Sequence, residues 1–195
     1  MLEIKNRMTI LEDFLKGKST GHLVTDEEFC FLQIRKIIEL VILSSIAPNH
    51  DAYRTAREEM ERDYRKDWNA EHILRDLKRI NSGFYPMPVV QEQNGENKFH
   101  YENKENGFLT ERELLNAYRK CGAALHANNP FSNRGKRKGS SEFIKSTFEG
   151  IWSLLDIHFI KIYSDPNTVW LIHMMDPRSH EVYIAEAKKK DPTSR

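Results

Sequence analysis

The sequence predicts an α+β protein that is mainly helical: a helical bundle carrying an inserted polar β-hairpin, followed by a C-terminal three-stranded antiparallel meander. Three observations carry this. Apolar residues recur at the helical period through most of residues 1–156, the pattern turns polar around an Asn94-Gly95 pair within about 87–103, and three alternating runs occupy 157–190. A length of 195 residues suits one domain with a sizeable core. The expected organisation is a bundle over 1–156, interrupted by the hairpin, with the meander packed on it.

The elements follow in order. Ile4, Met8, Leu11 and Leu15 mark a short amphipathic helix that stops at Gly17. Thr25-Asp26-Glu27-Glu28 reads as a capping box, which should start a long apolar helix running to about Ala47 and ending at Pro48. Asp51 to Lys66 keeps Tyr53, Ala56, Met60 and Tyr64 at helical spacing, and Asn69 can cap a further helix to Ile80. Val89-Val90 and Phe99-Tyr101 flank the Asn-Gly pair of the hairpin. A second capping box, Thr110 to Glu113, opens a helix expected to reach about Ala127. Ser132 to Ser141 reads as a basic loop, after which Ser140 or Ser141 should cap a helix to Asp156. The meander is expected as Ile157–Tyr163, Thr168–Met175 and Glu181–Lys188, with Asp-Pro turns between.

The chain has 30 Lys and Arg against 29 Asp and Glu, a net charge of +1, which excludes a generally polycationic nucleic-acid binder. A focused site remains open, because Arg119 to Lys138 holds Arg119, Lys120, Arg134, Lys136, Arg137 and Lys138 and no acidic residue. Cys30 and Cys121 form no CxxC pair and fit a reducing cytoplasm. The first 16 residues lack the apolar core of a signal peptide. The longest apolar stretch, Ile37 to Ala47, contains Glu39 and is far shorter than the roughly 20 residues that span a bilayer, so no membrane partner is expected.

Chemistry concentrates in Tyr118-Arg119-Lys120-Cys121-Gly122-Ala123-Ala124-Leu125-His126. Seven helical steps of about 100° bring Arg119 and His126 to within about 20° of each other on one face. On the wheel both lie about 80–100° from the centre of an apolar stripe of Leu114, Leu115, Tyr118 and Leu125, flanking a seam that could meet a groove or a second subunit. A guanidinium matches phosphate oxygens with a two-pronged fork, and an imidazole can give or take a proton near neutrality. Together they can cleave RNA without a metal: His acts at the 2′-hydroxyl, and Arg stabilises the charge that builds on phosphorus. His126 also has a plainer reading as a cation at a helix C-terminus.

This Arg-x6-His helix resembles the hallmark of the HEPN superfamily, in which an Arg, four to six intervening residues and a His lie on a late helix of a four-to-five-helix bundle. The apolar segment Phe31 to Leu40 is similar to the first bundle helix of such proteins. The resemblance spans roughly residues 25 to 155 and leaves the meander outside. It implies a ribonuclease site made of Arg119 and His126, completed across a homodimer through the Arg119/His126 seam. It also implies a toxin–antitoxin or phage-defence setting, in which an antitoxin protein could be a partner. The residue after the Arg, usually Asn, Asp or His in that family, is Lys120 here. A non-catalytic RNA-binding or protein-interaction module on the same bundle is the alternative.

Candidate substrate-binding residues are Lys120, Asn128, Asn129, Arg134, Lys136, Arg137 and Lys138, which follow or adjoin the motif and could hold RNA phosphates. Arg35 and Glu39, four apart on the buried helix, are expected to form a structural ion pair, with support of the site as their other reading. Glu186 and Lys188, preceded by Asp165 and Asp176, resemble the D…ExK pattern of metal-dependent DNA nucleases. Those sites sit in mixed sheets with a helix after the ExK strand, not at the end of a meander. The remaining histidines show no HxH or HExxH spacing and no phosphate-binding glycine motif is present, so no metal or nucleotide cofactor is expected.

Overall fold

The computed structural model describes all residues except 62, 64–68, 96–98, 128–138, 166, 177–178 and 189–195. The protein is α+β and mainly helical, in the order α1 (Leu2–Leu15), α2 (Leu23–Ser44), a 3-10 turn (Ala47–Asn49), α3 (His50–Glu58), α4 (Ala70–Ile80), β1 (Met87–Gln93), β2 (Phe99–Asn103), α5 (Glu111–Leu125), α6 (Ser140–Leu155), β3 (Ile157–Lys161), β4 (Thr168–His173) and β5 (Tyr183–Lys188). α2 is the hub. It packs against α1, α4, α5 and α6, and buries Phe31, Ile34, Ile37, Ile38, Val41 and Ile42 in one continuous core. Among the described residues no helix is long and apolar enough to cross a membrane.

Local chemistry sets the helix starts. Thr110 forms the expected capping box, its hydroxyl accepting from the Glu113 amide while Glu113 accepts from the Thr110 amide at 2.9 Å. Asn69 caps α4 by accepting from the amides of Glu71 and His72. The capping box expected at Thr25 does not form, because α2 begins two residues earlier at Leu23 and Thr25 lies inside its first turn. Asp26 instead accepts from the Thr20 amide and the hydroxyls of Ser19 and Thr20, so its carboxylate ties down the approaching loop. At its other end α2 stops at Ser44, short of the expected Ala47, and Pro48 sits in the 3-10 turn that leads to α3. α6 is not capped by a serine side chain: Gly139, at φ 76°, occupies the cap, and Ser140 is already helical and buried. The helix expected over Asp51 to Lys66 is described as α3 to Glu58, and its expected end lies outside the described residues.

The hairpin and the meander are one sheet. Its order is β2-β1-β3-β4-β5, all antiparallel, joined where Met87 and Pro88 pair with Phe159 and His158. His158, Ile160 and Ile172 share a buried face, and Met174 continues it into the bundle core. On the opposite face the rings of Tyr101 and His173 stand 6.5 Å apart, although β2 and β4 are three strands apart and would be separated by roughly 14 Å in a flat sheet. The hairpin therefore curls over the meander, and Phe159 and Tyr183 complete the aromatic cluster.

Two buried polar features yield measurable expectations. Arg57 and Asp76, both almost fully buried, join α3 to α4 through a 2.8 Å ion pair. Asp76→Ala leaves a buried guanidinium without this carboxylate and should cost about 3–5 kcal/mol in urea unfolding. Burial pushes the His158 imidazole down to about 4, its Nδ1 bonded to the Leu155 carbonyl at 2.9 Å. The unfolded chain then takes up the proton first as pH falls, so stability should drop by about 3 kcal/mol between pH 6.5 and 4. His158→Leu should flatten unfolding free energy against pH across that window.

Candidate active site on the outer face of α5

α5 turns a row of mostly small residues to the core. Leu114, Ala117, Tyr118, Cys121 and Ala124 are buried, whereas Leu115 and Leu125, expected in the apolar stripe, are only half-buried. This rotates the helix relative to the sequence expectation. On the wheel, Arg119 and His126 stand roughly 140–160° from the centre of the buried face, so they project from the solvent side and do not flank the core. Both are exposed. The reason is packing: alanine and cysteine let α5 lie close to α2, where a row of leucines would hold it away.

The helix ends at Leu125, so His126 is the residue where the chain leaves α5, at φ −81° and ψ 139°. Its ring has no partner among the described residues. Arg119 is engaged. Its Nε and Nη2 donate to the two carboxylate oxygens of Glu71, on the first turn of α4, at 2.8 and 3.0 Å. The hydrogen bonds from Arg119 hold the Glu71 carboxyl below its usual range, and the same pair raises the Arg119 guanidinium further. Both side chains are well exposed, and this geometry is the one a guanidinium offers to any bidentate oxyanion.

Lys120 takes no part in this arrangement. It points toward α6, where its Nζ lies 3.8 Å from the centroid of the Phe143 ring. Asn128, Asn129, Arg134, Lys136, Arg137 and Lys138 lie outside the described residues. Arg35 and Glu39 form the expected ion pair, with Nε to Oε1 at 3.2 Å, and Lys36 shares the same carboxylate at 3.0 Å. Arg35 also spans to α5, donating to the Tyr118 hydroxyl at 2.7 Å and stacking on its ring. Sequence reasoning missed Glu71 as a neighbour of the site, and the contacts that Tyr118 and Gly122 of the motif make with Arg35. Glu71 lies 48 residues from Arg119, and no local pattern links them.

The D…ExK residues are not drawn together. Asp165 accepts from the Asn167 amide and the Thr168 hydroxyl, and Asp176 from the Ser179 amide and hydroxyl, so each closes its own turn. Cys30 and Cys121 are both buried as free thiols, and burial pushes Cys121 up to about 12.

Comparison of the chain with protein-family models, with curated proteins and with solved structures finds no match.

The exposed Arg119–Glu71 pair should be separable from folding. Glu71→Gln is expected to leave the thermal midpoint of unfolding essentially unchanged, since exposed ion pairs contribute little. The same variant should bind sulfate more tightly than the parent in a competition titration, because the fork no longer holds a carboxylate.

Proposed function

We propose that the protein is a HEPN-like, metal-independent endoribonuclease, acting as a homodimer in the cytoplasm within a toxin or phage-defence system. The observation that carries the reading is the Arg119 fork, already shaped around an oxyanion, two helical turns from an exposed imidazole on the same side of α5. The defence setting and the dimer come from the resemblance of the Arg-x6-His helix, and an antitoxin protein would be the natural partner.

The chemistry follows from these groups. His126 takes the proton from a ribose 2′-hydroxyl, and the 2′-oxygen attacks the adjacent phosphorus. The bond from phosphorus to the 5′-oxygen breaks, leaving a 2′,3′-cyclic phosphate and a 5′-hydroxyl, with the second subunit's imidazolium supplying the proton to the leaving oxygen. Arg119 releases Glu71 and grips the non-bridging oxygens, whose negative charge grows in the transition state. In this scheme Glu71 holds the fork in place until phosphate displaces it.

The same pair favours a second reading. An Arg119 that keeps Glu71 would make the bundle a non-catalytic RNA-binding or protein-interaction module. Incubating purified protein with RNA in EDTA separates the two. Cleavage by the parent, reduced about 100-fold or more in His126→Ala and Arg119→Ala, supports the nuclease. RNA bound but uncut by the parent supports the module. Cleavage that persists in both variants rejects the assigned site.

A further inference from the structure

Arg35 reaches across from α2 to α5 with two of its three nitrogens tied down. Nε donates to Glu39 and Nη2 to the Tyr118 hydroxyl, and Cζ lies 4.2 Å from the Tyr118 ring centroid. The third nitrogen, Nη1, has no hydrogen-bond partner among the described residues. It occupies the place where a side chain at position 122 would begin: a Cβ on Gly122 would come within 2.5 Å of it.

That position matters. Gly122 is three residues after Arg119 and four before His126, so it stands between them on the same side of α5. Its backbone is ordinary helix, where glycine is less favourable than alanine, and no left-handed conformation calls for it. The space it leaves is filled by Arg35. Lys36 shares Glu39 with Arg35, so the trio keeps one net positive charge, and the Arg35 side chain remains 26% exposed. An arginine fixed at two nitrogens, with its third unpartnered among the described residues, is preorganised to receive an anion.

We propose that Arg35 is a second phosphate-binding residue of this site, its Nη1 edge taking a non-bridging oxygen of the RNA phosphodiester that Arg119 and His126 address. Gly122 is the positioning residue that admits it. This inference rests on the ribonuclease reading and names a substrate contact which that reading lacks.

Gly122→Ala is the sharpest probe. Alanine favours the helix, and only the far end of a flexible side chain has to move, so the fold is kept while Nη1 is displaced. Arg35→Lys keeps the charge but not the fork, and Arg35→Gln removes the charge. The measurements are KM and kcat on RNA, binding of an uncleavable 2′-deoxy oligonucleotide of the same sequence across a salt series, and urea unfolding. In Gly122→Ala and Arg35→Lys, KM should rise about fivefold or more with kcat far less affected. Arg35→Gln should lower the slope of log affinity against log salt by about one.

If KM and the salt slope match the parent in folded variants while His126→Ala is inactive, Arg35 is structural; the proposal then falls and the nuclease reading stands. If the parent neither cleaves RNA nor binds the oligonucleotide, the nuclease reading fails and this inference falls with it. Should Gly122→Ala fail to fold, the salt slope of Arg35→Gln decides.

Discussion

The close approach of α5 to α2 is the constraint on which the rest of this molecule depends. α2 buries one long aliphatic face, and α5 meets the bundle with Ala117, Cys121 and Ala124 alongside Leu114 and Tyr118. Small residues at a helix crossing shorten the distance between axes and make dispersion contacts dense. Two consequences follow. The thiol of Cys121 is fully enclosed, and Arg119 and His126 are turned outward, where they can meet a ligand or another subunit. The same closeness allows one side chain of α2, Arg35, to cross α5 at Gly122.

Three arginine–carboxylate pairs show how burial sorts charge into structure or chemistry. Arg57 and Asp76 are enclosed between α3 and α4, where removing either partner leaves the other's charge buried without its 2.8 Å counter-ion, so this pair is held in place as part of the fold. Arg119 and Glu71 are exposed, and water competes for both. Exchanging that carboxylate for a phosphate therefore changes little in the fold. Arg35 and Glu39 lie between these limits: solvent reaches them, yet the Tyr118 hydroxyl and ring hold the guanidinium in one place. A fixed but reachable cation is the arrangement that a binding site requires and that a core does not.

What could be read in advance was what depends on neighbours in sequence. The Thr110 capping box, the Asn69 cap, the i,i+4 pair of Arg35 and Glu39 and the Asn94-Gly95 hairpin each involve residues a few positions apart, and all of them are found. The Thr25 box is absent because α2 starts earlier, at Leu23, where Asp26 in its first turn holds Ser19 and Thr20 of the preceding loop. Partnerships formed only by tertiary packing left no local trace. The joint between β1 and β3 rests on two residue pairs some 70 positions apart, and Glu71 reaches Arg119 from another helix. The orientation of α5 has a related cause: the apolar pattern centres on Leu114, Leu115, Tyr118 and Leu125, whereas the packed face keeps Leu114 and Tyr118 and turns to the small residues Ala117, Cys121 and Ala124.

The local charge of the site also differs from what counting residues suggests. Basic residues gather in sequence between Arg119 and Lys138, yet of the two that are described, Arg119 is offset by Glu71 and Lys120 lies against the Phe143 ring of α6. Among the described residues, a net positive charge is brought against α5 at Tyr118 and Gly122 from α2, where Arg35 and Lys36 share Glu39. Proximity in three dimensions brings that charge to α5 through the gap at Gly122, at a position no linear window would select. A chain of net charge +1 can in this way present a focused cationic edge without being basic overall.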